Sequence, residues 1–88
     1  PSIMIKDGAV AAMTHGAPLA RPGVVNASSG ISSGSLVVIS SMKGEAVAVA
    51  NTSVDIDEVL NMTKGQVAVA KSVLMPTGIY PQNWSKQN

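Results

Sequence analysis

The sequence predicts a small, mainly β domain, a mixed β-barrel with one or two short helices. Three observations carry this expectation. A short apolar run at residues 3–5 leads at once into a brief helical pattern. Two later segments, residues 45–51 and 66–70, alternate Val with Ala, and each follows a Lys-Gly pair. The other apolar runs are short, closely spaced and separated by Gly, Ser and Pro, which describes strands of a small barrel better than a parallel α/β sheet.

Taken in order, Ile3-Met4-Ile5 reads as a strand. Asp7 stands where a helix N-cap belongs, its side chain able to accept an amide N–H two or three residues on. Ala9 to Met13 is good helix material, and His15-Gly16 supplies a cation-capable residue and a C′ glycine. A helix of about two turns does not persist alone in water, so it must rest on the sheet. Arg21-Pro22-Gly23 turns the chain back into Val24-Val25. Residues 26–35, N-A-S-S-G-I-S-S-G-S, are expected to be a solvated connection with one apolar anchor, Ile31. Residues 36–40 form a strand by β-branched content, and Met42-Lys43-Gly44 a turn.

The Val/Ala alternation gives each of the next two strands a bulky face and a thin face. Thin faces let another layer approach closely, as a tightly curved barrel requires. The second of these strands continues through Met75. Between them, Ser53 is followed three residues on by Ile56, so no full capping box starts there. Asp55, Asp57 and Glu58 still favour a helical turn or two, with Val54, Val59 and Leu60 on its buried side. Residues 1–75 are expected to be the domain. Residues 76–88 form a Pro-rich, polar tail holding both aromatics, Tyr80 and Trp84, which would cover a barrel end or dock on another domain.

With 88 residues, the chain builds one domain that buries about 60–65% of its unfolded surface. It has no cysteine, which excludes disulfides and thiolate metal sites. It has no Phe, so the core must come from Val, Ala, Ile, Leu and Met. Six Lys and Arg against five Asp and Glu leave a formal charge of +1. Any affinity for RNA must therefore come from where the charges sit, and not from their sum. No apolar run nears the ~20 residues that span a bilayer, and no signal-peptide pattern opens the chain. Starting at Pro1 and stopping at S-K-Q-N, the sequence is expected to be a segment of a larger protein, although loss of an initiator Met before Pro gives the same start.

Catalytic constellations are lacking in the sequence. The single histidine, His15, has Thr14 and Gly16 for neighbours and no carboxylate beside it. No G-x-S-x-G elbow or phosphate-binding loop occurs. Asp55-x-Asp57-Glu58 superficially suggests a calcium loop, but Leu60 stands where that loop needs glycine, so no metal or cofactor is expected. The N-x-[ST] triplets at Asn26, Asn51, Asn61 and Asn83 are what a Ser/Thr/Asn-rich composition produces. Base stacking on a sheet needs more rings than Tyr80 and Trp84. What remains is cations beside glycines: Lys6 by Gly8, Arg21 by Gly23, Lys64 by Gly65, with Lys71 further along the last strand. Such pairs are ordinarily solvated turns; bare amides beside a cation also suit phosphate and base-edge contacts to a single-stranded or distorted RNA end.

These same residues carry a resemblance. I-K-D-G-A-V-A-A-M-T-H-G-A-x-L-x-x-P-G-V-V, then L-V-V-I-x-x-x-K-G-E-A-V-A-V-A, then K-G-Q-V-A-V-A-K-S-V-L-M-x-x-x-x-Y-P-x-x-W, resemble the C-terminal PUA domain of the H/ACA pseudouridine synthase family. The eukaryotic member is dyskerin, also called a centromere/microtubule-binding factor. H-G-A with a following P-G is common to PUA domains at large, whereas K-G-E-A and Y-P-x-x-W are narrower. The chain departs from the family at Lys64, where many relatives carry His, and in its charge-poor tail.

The resemblance implies a PUA-like mixed β pseudo-barrel of about six strands. It implies an RNA-binding domain that holds the lower stem and 3′ ACA of an H/ACA guide RNA, with no activity of its own because the catalytic domain lies elsewhere. RNA contact is implied for Lys6, Asp7, Gly8, Ala9, His15, Gly16, Ala17, Arg21, Pro22, Gly23, Lys64, Gly65 and Lys71. Tyr80 and Trp84 are implied to pack between domains. The expected partners are the guide RNA, the chain's own catalytic domain, and H/ACA proteins or assembly factors, with no membrane and no small-molecule substrate. The nucleus and nucleolus are expected in a eukaryote, the cytoplasm in an archaeon. The alternative is a protein-interaction module that docks on the catalytic domain or an assembly factor.

Overall fold

The computed structural model describes residues 1–76. In chain order these form β1 (Ser2–Ile5), α1 (Asp7–Thr14), β2 (Leu19–Ala20), a 3₁₀ turn (Arg21–Gly23), β3 (Val24–Ala27), β4 (Leu36–Ser41), β5 (Ala46–Thr52), α2 (Ile56–Asn61) and β6 (Gln66–Val73). The strands make one six-stranded sheet in the order β2-β6-β5-β4-β1-β3. The β1–β4 pair is parallel and the other pairs are antiparallel.

The two edge strands, β2 and β3, are separated in sequence only by the 3₁₀ turn. Three residues reach at most about 10 Å, so the sheet must curl until its edges meet. The seam is pinned on both sides: Lys6 N–H donates to the Gly23 carbonyl (2.9 Å), and Arg21 N–H donates to the Gly65 carbonyl (2.8 Å). Register slips in four strand pairs leave Val25, Val47, Val67 and Lys71 as extra residues. Each such bulge bends its strand and raises the local twist, which supplies the curvature of a pseudo-barrel.

The Val/Ala alternation resolves with the thin face inward. Ala48, Ala50 and Ala68 are fully buried, while Val69 is exposed. Val47 and Val67 also turn inward, because each sits at a bulge. Against these small residues α1 packs onto β5, β2 and β6, burying Val10, Ala11 and Met13. Ile3, Ile5, Leu19, Val37 and Ile39 complete the centre of the core.

Four local expectations change. Lys6, not Asp7, is the N-cap of α1: its extended backbone (φ −73°, ψ 159°) precedes the helix, and its carbonyl accepts the N–H groups of Ala9 and Val10. Asp7 is the first helical residue, where negative charge meets the positive helix end. Asp55, not Ser53, caps α2, and Glu58 Oε1 accepts the Asp55 N–H at 3.2 Å. Leu60 is 69% exposed, because a single six-residue helix buries one narrow side and Val59 takes it. The Ser/Gly loop is not a loose connection. Ile31 is buried, the Ile31 carbonyl accepts the first N–H of α2 (from Ile56, 3.0 Å), and the Thr52 hydroxyl donates to the Ser32 carbonyl (2.8 Å). Loop carbonyls thus satisfy groups that would otherwise be buried without partners.

After β6, the N–H groups of Leu74 and Met75 both donate to the Val47 carbonyl. Tyr80 and Trp84, with most of the expected tail, lie outside the described residues.

Candidate nucleic-acid interface

The two ends of the first helix are built differently, and the contrast defines the site. At the start, the N–H groups of Asp7 and Gly8 belong to the first turn, where no helical carbonyl lies one turn back. Open space surrounds the position a Gly8 side chain would take. Opposite stands the 3₁₀ turn, drawn so close that an added Cβ on Gly23 would lie 2.7 Å from the Ala9 Cβ. Gly23 is therefore required by close approach and not by backbone conformation.

Between helix and turn runs a groove of about 380 Å³. Lys6, Gly8, Ala9 and Ala12 line one wall, and Pro18, Ala20, Pro22 and Gly23 the other. The walls are small residues and two flat proline rings, with one ammonium and the positive helix end at the mouth. Such a slot takes a thin, flat group joined to negative charge.

At the other end of α1, about 12 Å away, the helix is closed. Gly16 adopts φ +96°. Its N–H donates to the Met13 carbonyl and the Ala17 N–H to the Ala12 carbonyl (2.9 and 3.0 Å), the pattern of a Schellman cap. His15 Nδ1 lies 2.9 Å from the Ala11 carbonyl. A carbonyl only accepts, so Nδ1 is the donor in this contact. Gly16→Ala is expected to cost about 1–2 kcal/mol, the penalty of left-handed backbone for an L-residue. Urea unfolding checks it, with the midpoint lowered and the slope unchanged.

Five of the expected site residues, Lys6, Gly8, Ala9, Pro22 and Gly23, meet in the groove, and Asp7 sits in the same helical turn. Arg21 and Gly65 meet each other through the seam hydrogen bond. The Arg21 side chain turns to α2, where Nε donates to the Val59 carbonyl at 2.7 Å, while another guanidinium nitrogen lies 3.5 Å from the Val24 carbonyl. Lys64 is exposed beside Gly65, whose φ is +108°. His15, Gly16 and Ala17 form the far cap and are not in the groove wall. Lys71 is exposed at the β6 bulge, also away from that wall. Ala12, Pro18 and Ala20 are wall residues that sequence reading missed; Ala12 was findable, since it follows Gly8 by four positions and shares its helix face. Among the described residues no group of three His, Cys, Asp or Glu could hold a metal, and no helix is long and apolar enough to cross a membrane.

Fold and groove define a pseudo-barrel module with a groove between a helix and a turn at the edge of its sheet. The profile of the PUA domain family matches residues 1–78. The chain is 43% identical over 88 residues to the probable tRNA pseudouridine synthase B of Pyrococcus furiosus, covering 100% of this chain and 26% of that protein. It is 42% identical over 84 residues to the synthase of the same name from Korarchaeum cryptofilum, covering 96% of this chain and 26% of the relative. Among solved structures it is similar to a chain of an H/ACA RNP bound to a substrate RNA containing 2′-deoxyuridine, with a TM-score of 0.92, 44% identity, and 96% of this chain matching 26% of that one. The archaeal box H/ACA sRNP Nop10–Cbf5 complex gives a TM-score of 0.91 at 42% identity, over 96% of this chain and 27% of that one.

The chain belongs to the PUA domain family. It spans about a quarter of the length of the curated synthases it matches, so these 88 residues are a PUA domain without a synthase's catalytic domain.

Proposed function

We propose that this chain is the RNA-holding PUA domain of a guide-RNA-dependent pseudouridine synthase. The groove beside α1 takes the single-stranded 3′ ACA end of an H/ACA guide RNA, and the neighbouring lysines take the phosphates of its lower stem. The observation that carries this reading is the groove of about 380 Å³ beside α1, floored where Gly23 packs on Ala9 and lined by Lys6 and the first turn of the helix. Nucleobases are flat and phosphates anionic, so one ligand uses both parts of the site. The synthase's own catalytic domain and H/ACA proteins would be its protein partners.

The test is titration of the chain with a hairpin ending in ACA against one with the trinucleotide scrambled. Tighter binding of the first is expected, and equal affinities would defeat the reading. If Lys6, Lys64 and Lys71 contact phosphate, log K falls against log salt with a slope near −2. Lys64→Ala is expected to make that slope shallower by about 0.7. Because Lys64 is exposed, its melting temperature should stay within a degree or two of wild type, within the roughly ±0.5 kcal/mol of an ordinary surface substitution.

A second reading rests on a different surface. Leu36, Val38 and Val69 are exposed on the outer face of β4 and β6, and Val38 pairs across to half-buried Val49. This apolar outer face suits docking against the remainder of a synthase, and the two roles are compatible on opposite parts of one barrel.

A further inference from the structure

Arg21 occupies the junction between the groove and the Lys64 turn. Its Nε donates to the Val59 carbonyl at 2.7 Å, and its backbone N–H donates to the Gly65 carbonyl at 2.8 Å. One residue thus grips both ends of residues 60–64. Val59 lies near the end of α2, at the negative end of the helix; its carbonyl accepts the Met62 N–H at 3.2 Å and takes Arg21 Nε as a second, charged donor. A helix of six residues has no stability of its own: the Ile31 carbonyl holds its start, and the Arg21 grip holds its end and the turn that follows. The residues that follow Arg21, Pro22 and Gly23, belong to the groove wall.

We infer that Arg21 is a positioning residue: it brackets the Lys64 turn to the groove wall and acts on RNA through Lys64, not as a phosphate ligand. The inference rests on the RNA reading above and adds the route by which α2 supports the site. A phosphate ligand works through its charge, whereas a bracket works through the donor at Nε. Glutamine separates the two, because its amide nitrogen falls where arginine has Nε, and it is neutral. Methionine keeps a similar apolar stem and has no donor.

The experiment compares Arg21→Gln and Arg21→Met in the 88-residue chain, each with and without Lys64→Ala, using the ACA hairpin as probe. Arg21→Gln is expected to bind within about two-fold of wild type with the salt slope unchanged. Arg21→Met is expected to lose about four-fold at 0.15 M salt, the size of one released counterion. Lys64→Ala should then cost about four-fold in the wild-type and Gln backgrounds and nothing further in the Met background, a non-additivity that marks coupled residues. A purely structural Arg21 would lower the melting temperature of the Met variant yet leave the Lys64 cost in place, overturning the inference. Equal losses in Gln and Met, with the slope reduced by about 0.7, would make Arg21 a phosphate ligand and overturn it too. Without RNA, Arg21→Met should speed amide exchange at residues 58–65 at least ten-fold more than in β4 and β5; uniform acceleration refutes the bracket. Failure of the wild-type chain to bind either hairpin overturns the RNA reading itself.

Discussion

Gly23→Ala is expected to lower the melting temperature by about 10 °C, from a loss of about 2 kcal/mol in a domain of this size. The added methyl would sit 2.7 Å from the Ala9 Cβ and 3.4 Å from Leu19 Cδ1. The first contact is with an atom fixed to helical backbone, so no rotamer change relieves it. Either α1 or the 3₁₀ turn must move, and both are walls of the groove and flanks of the seam. Affinity for the ACA hairpin should fall along with stability. Ala9→Gly removes the atom that is struck; alone it costs about 1 kcal/mol of helix propensity. Combined with Gly23→Ala, it should recover part of the loss, so that the double variant is more stable than the sum of the single effects requires. An unchanged melting temperature for Gly23→Ala would mean that helix and turn are not in contact.

Ala50→Leu is expected to cost about 3 kcal/mol, a large part of the 5–15 kcal/mol typical of whole domains. Ala50 is fully buried on the inward face of β5, in the layer where α1 lies against the sheet. Three further heavy atoms there push helix and sheet apart. Val49→Leu, one position away on the outer face, places the same side chain at a half-exposed site, adding one carbon, and should stay within about 0.5 kcal/mol of wild type. Thermal unfolding of the pair reads the difference directly, and equal effects would contradict the inward orientation of the alanines.

That orientation marks where sequence reading stops. Period-two alternation at residues 46–50 and 66–70 announces two strands with unlike faces, but not which face the chain hides. The choice follows from α1, which must pack somewhere and fits only against the smaller side chains. Helix caps were misread for a related reason. Asp7 and Ser53 are good capping residues by type, yet the chain turns helical one residue earlier in α1 and two residues later in α2. There the capping box is the D-x-x-E spacing of Asp55 and Glu58, a signal present in the sequence two residues beyond Ser53. Lys6, Gly8, Ala9, Pro22 and Gly23 stood out as glycines and prolines beside cations. Pro18 and Ala20 did not, because they become a wall only when β2 pairs with β6, far along the chain. Arg21 shows the sharpest limit. A cation next to Pro-Gly looks alike whether it faces solvent or reaches the carbonyl of Val59, 38 positions on.

β2 supplies Ala20 to one groove wall, directly after Pro18, and finds its strand neighbour in β6, the last of the described elements to be made. During translation the helix and the turn emerge early and can join through β1, β3 and the Lys6–Gly23 bond, but Leu19 and Ala20 find their strand partner only once residues 66–68 have left the ribosome. Unfinished copies therefore lack the finished groove wall even though every residue lining the groove has been synthesised.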